Sequence, residues 1–200
     1  MYIYMQFKYV FRAPFEPCAE AALDWTHFIH LHRKSHKEFR LLFKSGRREI
    51  FLYKTRFHPL PFGKTFIAFR EYIPEKSGYR QTYMDAGNGR THYQDNESVK
   101  DGENVVNTSN YYLQVSCFWK FFPKLFLWLF KRRMRAVVEE DNAWLRERIR
   151  QGIFTHAQCA PPAPETFDQL DDFMKNGFPK PEISLVKGND FFWDLTGAAT

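Results

Sequence analysis

The feature that most constrains the fold is a succession of six strand-like segments between residues 38 and 115. The segments are EFRLLF, REIFLYKTRF, KTFIAFREYI, GYRQTYM, GRTHYQDNE and NVVNTSNYYLQV, all rich in β-branched and aromatic residues. Between them lie SG, PLPFG, EKSG, DAGNG and KDGEN, whose composition is typical of turns. Because no helix-like segment separates these strands, the pattern predicts an antiparallel sheet built from hairpins.

Helix-like segments flank this sheet on both sides in the sequence. The N-terminal MYIYMQFKYVFR is predicted as a first strand that stops before Pro14, and Cys18 to His32 has a helical composition. From residue 118 to 150 the apolar residues recur at intervals of three and four, which predicts a long helix that Pro123 ends or kinks. Segregated helices and antiparallel strands indicate the α+β class.

The composition predicts one domain followed by an arm. Residues 1–155 carry the sheet and the long helix, and the Pro-rich CAPPAPE then opens the range 156–200. We expect this range to form a linker and an irregular C-terminal arm that packs back on the domain through Phe191, Phe192 and Trp193. The order of elements resembles the helix-grip fold of the START and Bet v 1 superfamily. That resemblance implies a curved antiparallel sheet around a long C-terminal helix, with a cavity between them.

Cysteine spacing and charge exclude several classes of protein. Cys18, Cys117 and Cys159 are far apart and form no C-x-x-C, which argues against a zinc ribbon, a thioredoxin-type site and a disulfide scaffold. An odd count fits a reducing compartment, and the N-terminus lacks the pattern of a signal peptide, so we expect a cytoplasmic protein. The net charge of +6 is spread along the chain without a recognisable motif, so nucleic-acid binding is not expected.

The most apolar stretch, CFWKFFPKLFLWLF at 117–130, is too short to cross a bilayer, which takes about 20 apolar residues. Lys131, Arg132, Arg133 and Arg135 follow it directly. Two interpretations remain open at this stage. The segment is either a helix packed on an aromatic core with a solvated basic end, or a peripheral membrane contact through residues 118–135.

Phenylalanine is unusually abundant, with 22 residues, and this excess indicates either an aromatic core or a cavity for a hydrophobic small molecule. If there is a cavity, we expect Phe66, Phe69, Tyr83 and Tyr93 to share it with the apolar face of the long helix. Because side chains alternate along a strand, only half of such residues can face inward, and the register is not readable from the sequence.

One carboxylate interrupts the apolar stripe of the long helix. Asp141 lies three and four residues from Val138 and Val137, and from Trp144 and Leu145, so it shares their face. A carboxylate buried there needs a cation, a metal ion or a proton. The structural alternatives are a salt bridge to Arg148 or a helix rotated enough to expose Asp141. Glu139 and Glu140 fall on other faces and are predicted to be solvated.

Histidines concentrate beside a second carboxylate in Asp24-Trp25-Thr26-His27-Phe28-Ile29-His30-Leu31-His32. Asp24 and His27 are three apart and are neighbours on a helix. His27 and His32, five apart, converge only if the helix breaks or widens between them. His32 and His36 suit a regular helix better and are a competing metal pair, His30 is a further candidate, and a surface histidine cluster is the structural alternative.

The two motifs together, D-x-x-H-x-x-x-x-H early and E-D on the late helix, resemble the catalytic domain of Rieske non-haem iron ring-hydroxylating oxygenases. The resemblance implies that His27, His32 and Asp141 bind Fe(II) as a triad of two histidines and one carboxylate, which leaves positions for O2 and substrate. It also implies that Asp24 holds the first histidine and lies on the electron route.

The chain departs from that family because it contains no C-x-H and C-x-x-H pair to hold a 2Fe–2S cluster. Electrons would then come from a separate Rieske or ferredoxin protein, or from the substrate. The sequence therefore predicts an oxygenase-like, Fe(II)-dependent oxidoreductase acting on a hydrophobic, aromatic small molecule. The alternative is a metal-free helix-grip cyclase, or a carrier of a lipid or another hydrophobic ligand.

Overall fold

The fold is built on one large sheet. The computed structural model describes residues 2–15, 18, 31–32, 35–56, 63–151 and 185–194, with the backbone alone for residues 45, 117, 120, 148, 149 and 185–194. Most of the predicted helical segment from Cys18 to His32 lies outside these residues. The strands are β1 (Tyr2–Arg12), β2 (His36–Ser45), β3 (Arg48–Arg56), β4 (Gly63–Ile73), β5 (Gly78–Asp85), β6 (Thr91–Asp101), β7 (Asn104–Gln114) and β8 (Leu185–Asp194).

The sheet has the spatial order β2-β3-β4-β5-β6-β7-β1-β8. Strands β2 to β7 pair with their sequence neighbours in antiparallel hairpins, and β1 closes on β7 with Ile3 opposite Leu113. Each of the six predicted segments coincides with one of the strands β2 to β7. The predicted antiparallel sheet is therefore confirmed.

Two helices follow β7, and the break between them lies where proline predicted it. Helix α1 spans Cys117–Phe121 and helix α2 spans Pro123–Arg150. Proline lacks the backbone N–H that a helix interior needs but is tolerated at the first helical position, so α2 can begin at Pro123. With 28 residues, α2 is about 42 Å long, enough to cross the whole sheet.

The main core lies between α2 and one face of the sheet, which we call the concave face. Strand alternation places every second side chain on this face, so that Phe7 on β1, Phe51 on β3 and Phe66 on β4 all contribute to it. Helix α2 contributes Val138 and the partly buried Phe130 to the same cluster. A curved antiparallel sheet covered by one long C-terminal helix is the α+β helix-grip architecture, so the predicted fold class is confirmed.

The described part of the C-terminal arm is a strand rather than an irregular segment. Strand β8 pairs in parallel with β1, with a register shift between Tyr4 and Gln6. Without β8, strand β1 would be an edge strand with unpaired backbone N–H and C=O groups. The pairing of β8 with β1 provides hydrogen-bond partners for these groups. Gly188 and Asn189 in the middle of β8 weaken its strand pattern, which explains why the sequence did not predict it.

One turn residue is conformationally strained. Ser77 has φ 42° and ψ 48°, the left-handed region, where a side chain costs energy that glycine avoids. We expect Ser77→Gly to raise the free energy of unfolding by about 1 kcal/mol, measured by urea denaturation. The reciprocal variant Gly102→Ser, at φ +60° in open space, should lower it by a similar amount. Equal stability of Ser77→Gly and the native protein would contradict this explanation.

Candidate functional site

The centre of the concave face holds a buried cation. Arg70 on β4 is only 5% exposed, and its guanidinium lies over the rings of Phe51 and Tyr79, at 4.8 and 4.3 Å from their centroids. Its Nε and Nη2 both donate to Oε1 of Gln81, the cross-strand neighbour on β5, at 3.0 and 2.9 Å. Nη1 is buried and has no hydrogen-bond partner among the residues that the structure describes.

No carboxylate in the described part of the chain forms an ion pair with Arg70. Its cross-strand neighbour on the other side is Glu49 on β3, but the Glu49 carboxylate pairs with Lys44 at 2.9 Å. The positive charge of Arg70 is therefore balanced by one amide oxygen and two aromatic faces. Packing alone does not explain an arginine at this position, because burying a charge without an oppositely charged partner is costly.

The hydrogen-bonded row continues from Arg70 across the sheet. Gln94 on β6 donates from Nε2 to the hydroxyl oxygens of Tyr79 and Tyr111, at 2.9 and 3.0 Å. Since both hydroxyls accept from Gln94, each keeps its own proton to donate to another group. Burial raises the pKa of Tyr79 and of Tyr111 above its ordinary value, so both remain protonated donors at neutral pH.

A second buried polar group on the same face also has an atom without a hydrogen-bond partner among the described residues. Asn96 on β6 donates from Nδ2 to Asn107 Oδ1 at 3.0 Å and to Ser109 Oγ at 2.8 Å. Its Oδ1 is buried and accepts no hydrogen bond from the described residues. Among the described residues, the concave face thus offers an unpartnered donor on Arg70, between aromatic rings, and an unpartnered acceptor on Asn96, among polar side chains.

A further charged group of the site is a histidine held by two consecutive carboxylates. His32 is fully buried, with its Nδ1 2.9 Å from Glu140 Oε2 and its Nε2 2.9 Å from Asp141 Oδ1. Both carboxylates come from α2, so a single helix supplies a partner to each side of the ring. Burial by itself lowers the pKa of His32, but Asp141 and then Glu140 outweigh it and hold the pKa above its ordinary value.

Asp141 is the more exposed of the two carboxylates that hold this histidine. Its side chain is 37% exposed, whereas that of Glu140 is 23% exposed. The negative charge of Asp141 contributes to raising the pKa of Tyr79, while the positive charge of Arg70 opposes it.

The structure brings together two of the four site residues predicted from the sequence. His32 and Asp141 are in contact, as the Fe(II) interpretation requires, but His27 and Asp24 lie outside the described residues, as does His30. Nothing in the structure therefore tests the complete triad. The competing residue His36 has its ring 5.8 Å from that of His32 and its Nδ1 2.9 Å from Ser35 Oγ.

Glu140 is one of the site residues that sequence reasoning missed. Its position on α2 predicted a solvated side chain, and this is wrong, because Glu140 turns toward the buried His32. A glutamate is long enough to reach a neighbouring helix face, and helical periodicity reports only where a side chain starts. Glu139, in contrast, is exposed and pairs with Arg135 at 2.7 Å, as a solvated residue does.

The donor pair His32 and Asp141 fits a metal ion as well as it fits a direct ion pair. Two ligands bound at about 2.0–2.2 Å and roughly at right angles lie about 3 Å apart, close to the 2.9 Å observed between Nε2 and Oδ1. Glu140 at Nδ1 is placed to hold the ring for such a bond. The described residues alone contain no group of three histidine, cysteine, aspartate or glutamate side chains arranged for a metal, so a third ligand would come from outside them.

The four aromatic residues proposed to share a pocket divide between the two faces of the sheet. Phe66 and Tyr83 lie on the concave face and pack edge to face, with centroids 5.6 Å apart. Phe69 packs instead with Ile50 in a separate cluster, and Tyr93 contacts Tyr2. The expectation was therefore wrong for Phe69 and Tyr93, because the register of β4 and β6 turns them away from α2.

His92 is a neutral histidine at the edge of the same aromatic wall. Its Nδ1 accepts the backbone N–H of Gln114 at 3.1 Å, and its ring lies 5.0 Å from that of Tyr83. Burial, assisted by the nearby charge of Lys64, lowers the pKa of His92 to about 4. Protonation would also place an N–H against the N–H of Gln114, so the hydrogen bond itself favours the neutral ring.

We expect His92 to make the protein less stable in mild acid. Unfolded histidine binds a proton near pH 6.5 and folded His92 only near pH 4, so the unfolded state gains protons first as the pH falls. Between pH 7 and pH 5 this should remove about 2 kcal/mol of unfolding free energy, measured by urea denaturation. His92→Asn keeps an acceptor for Gln114 without titrating and should lose less stability over that range. The same loss in both proteins would exclude His92 as its source.

Comparison with known proteins finds similarity in structure but not in sequence. No family model matches the chain, and no curated protein matches it either. The Zhui aromatase/cyclase from Streptomyces sp. R1128 has a TM-score of 0.63 at 8% identity, covering 74% of this chain and 96% of that chain. Norcoclaurine synthase from Thalictrum flavum has a TM-score of 0.56 at 11% identity, covering 74% and 96%.

A protein from Thermus thermophilus is also similar, with a TM-score of 0.58 at 13% identity, covering 72% of this chain and 97% of that chain. At such identities the similarity shows the fold alone. The helix-grip part of the resemblance stated above is therefore supported, whereas the relation to Rieske oxygenases and the iron chemistry remain predictions.

Proposed function

We propose that the concave face binds a hydrophobic, aromatic small molecule carrying an acidic or carbonyl oxygen, and that the protein transforms it by metal-free proton transfer, as a cyclase does. The observation that carries this proposal is Arg70, a buried guanidinium whose Nη1 has no partner among the described residues. A ligand oxygen would supply the missing acceptor.

The surroundings of Arg70 select the class of ligand. Phe51 and Tyr79 flank the guanidinium, so the bound oxygen would belong to a flat, apolar molecule that packs against aromatic rings. The hydroxyls of Tyr79 and Tyr111 are protonated donors in the same row. A carboxylate, phenolate or enolate oxygen can accept from such donors, and a simple hydrocarbon cannot.

Asp141 is the group that we assign to proton transfer. It is the more exposed of the two carboxylates on His32, and its charge reaches Tyr79. In this role the carboxylate removes a proton from the carbon beside a carbonyl group, and the electron pair moves onto the carbonyl oxygen as an enolate. Arg70 stabilises that negative oxygen, and His32 holds Asp141 in position.

The structural neighbours support this class of chemistry without assigning it. One of them is named as an aromatase/cyclase and another as a norcoclaurine synthase, and both share the helix-grip fold. Because fold does not determine function, the proposal depends on the side chains of the concave face.

Binding of an aromatic carboxylate and of its uncharged methyl ester tests the proposal. We expect the protein to bind 2-naphthoate at least about tenfold more tightly than methyl 2-naphthoate, measured by calorimetry, because only the acid places a full negative charge at Arg70. Metal analysis of the purified protein, and binding repeated after chelation, should show no dependence on a metal. Equal affinities for the two probes would contradict the role of Arg70.

A second function is favoured by a specific observation, the 2.9 Å separation of His32 Nε2 and Asp141 Oδ1. In this candidate, His32 and Asp141 would hold Fe(II) together with His27 as the third ligand, and the ion would supply the activation of O2. Glu140 orients His32, and the aromatic wall excludes water from the substrate. Asp24 would orient His27 or lie on the route of electrons from an external donor, consistent with the sequence resemblance.

Anaerobic Fe(II) titration separates the two candidates. If the iron candidate holds, His32→Ala, Asp141→Ala and His27→Ala should each abolish tight binding, whereas Glu140→Gln should weaken it by about 10–100-fold. His36→Ala is the matched control, since it removes a neighbouring histidine that is not in the proposed set, and it should bind iron like the native protein. A native protein that binds no Fe(II) excludes this candidate and leaves the metal-free one.

A further inference from the structure

We propose that α1 and the first turns of α2 dock on the surface of a lipid bilayer that contains anionic lipids. The docking face consists of six exposed apolar side chains, Phe118, Phe121, Phe122, Leu125, Trp128 and Leu129. This inference is independent of the proposed chemistry, because the docking face uses residues that do not belong to the concave site.

The docking face is unusual in size and exposure. Phe121 is 80% exposed, Phe118 57% and Trp128 54%. The two other exposed large apolar residues in the described part of the chain, Leu42 and Val99, lie singly on strands. Single exposed residues are normal in a folded protein, whereas a contiguous apolar patch marks an interaction surface.

Helix α2 is apolar on two faces at its N-terminal end. One face packs on the sheet through Phe126, Phe130 and Met134, as the core requires. The other carries Leu125, Trp128 and Leu129, three and four residues apart and directed away from the core. A helix that only covers a sheet needs the first face, so the second requires a different explanation.

Charge around the docking face identifies the partner. No aspartate or glutamate occurs between residues 104 and 138, whereas six lysines and arginines occur in the same stretch, at 120, 124, 131, 132, 133 and 135. Lys124, Lys131 and Arg132 are exposed on α2, and the Arg132 guanidinium lies 5.8 Å from the centroid of the Trp128 ring. Apolar residues flanked only by cations match a bilayer surface whose headgroups are anionic.

The same observations disfavour the other occupants. A second copy of this chain docked on the same face would bring two sets of cations together, and like charges across an interface are unfavourable. No helix among the described residues is long and apolar enough to span a membrane. The chemistry therefore describes a helix that lies on the bilayer with its aromatic side chains inserted among the headgroups.

Vesicle flotation of the full chain tests this inference. We expect the protein to float with phosphatidylcholine vesicles that contain phosphatidylserine, and to float much less with phosphatidylcholine alone. The triple variant Phe121→Ser/Leu125→Ser/Trp128→Ser should reduce partitioning at least about tenfold, because it removes three apolar groups from the lipid. The matched control is Leu42→Ser/Val99→Ser, which removes exposed apolar residues elsewhere and should float like the native protein.

A variant that removes positive charges separates the electrostatic contribution to membrane binding from the apolar one. Thermal unfolding checks that the variant is folded. Lys124→Gln/Lys131→Gln/Arg132→Gln should lose the preference for phosphatidylserine while retaining the native melting temperature, since the substituted residues are exposed. Equal flotation of the apolar triple variant and its control would overturn the proposal. So would a dimer in solution that the triple variant dissociates, because the docking face would then cover a second copy of the chain.

Discussion

Replacing Arg70 with methionine should weaken the binding of 2-naphthoate about 100-fold and at the same time raise the stability of the protein. The loss of affinity follows from removing a charge-assisted hydrogen bond, worth about 1.5–3 kcal/mol, from the ligand oxygen. The gain in stability follows because burying a charge that has no carboxylate partner among the described residues costs more than leaving the Gln81 oxygen without its two donors, and methionine is an apolar side chain of similar length.

The opposite signs of these two effects are what distinguish a binding residue from a structural one. If Arg70 served only the fold, its replacement would lower stability and leave any bound probe unaffected. Calorimetry and urea denaturation on the same protein measure both quantities. Arg80→Met is the matched control, because Arg80 on β5 is exposed, and its variant should change neither the affinity nor the stability by more than about 0.5 kcal/mol. Reduced stability of Arg70→Met with unchanged affinity would assign Arg70 to the core.

Alanine substitutions at three consecutive acids of α2 should give sharply different losses of stability. Glu140→Ala and Asp141→Ala should each cost about 2 kcal/mol, because each leaves a nitrogen of the buried His32 without its carboxylate. Glu139→Ala removes only an exposed pair with Arg135 and should cost less than about 0.5 kcal/mol. Alanine has a higher helix propensity than either acid, by less than about 1 kcal/mol, so propensity does not account for the expected losses.

The same alanine substitutions are also made in a protein that lacks His32. In His32→Leu the costs of Glu140→Ala and Asp141→Ala should fall to the level of Glu139→Ala, which a double-mutant cycle by urea denaturation measures. Similar losses for all three alanine variants in the native background would show that His32 does not depend on these carboxylates. The measurement is made on metal-free protein, so that it reports the ion pairs and no bound ion.

The candidate site was only partly predictable from the sequence. Asp141 was singled out because a carboxylate interrupts an apolar stripe, and its contact with His32 agrees with that reasoning. Arg70 was not singled out, because it lies in a strand where alternation alone does not say which face is inside. The signal was present in KTFIAFREYI, since Phe66, Ala68 and Arg70 share a face, but a register is needed to identify that face as the concave one.

The sequence by itself determined strands β1 to β7, helix α2 and their order. Turn residues between β-branched and aromatic runs specified six hairpin strands, and Pro123 specified the start of α2, because both signals act within a few residues of chain. Tertiary structure alone decided what meets across the sheet. The pairing of Arg70 with Gln81, the reach of Glu140 to His32 and the parallel addition of β8 to β1 all join distant segments. Such contacts depend on strand register and helix rotation, which packing of the whole core sets and no local pattern encodes.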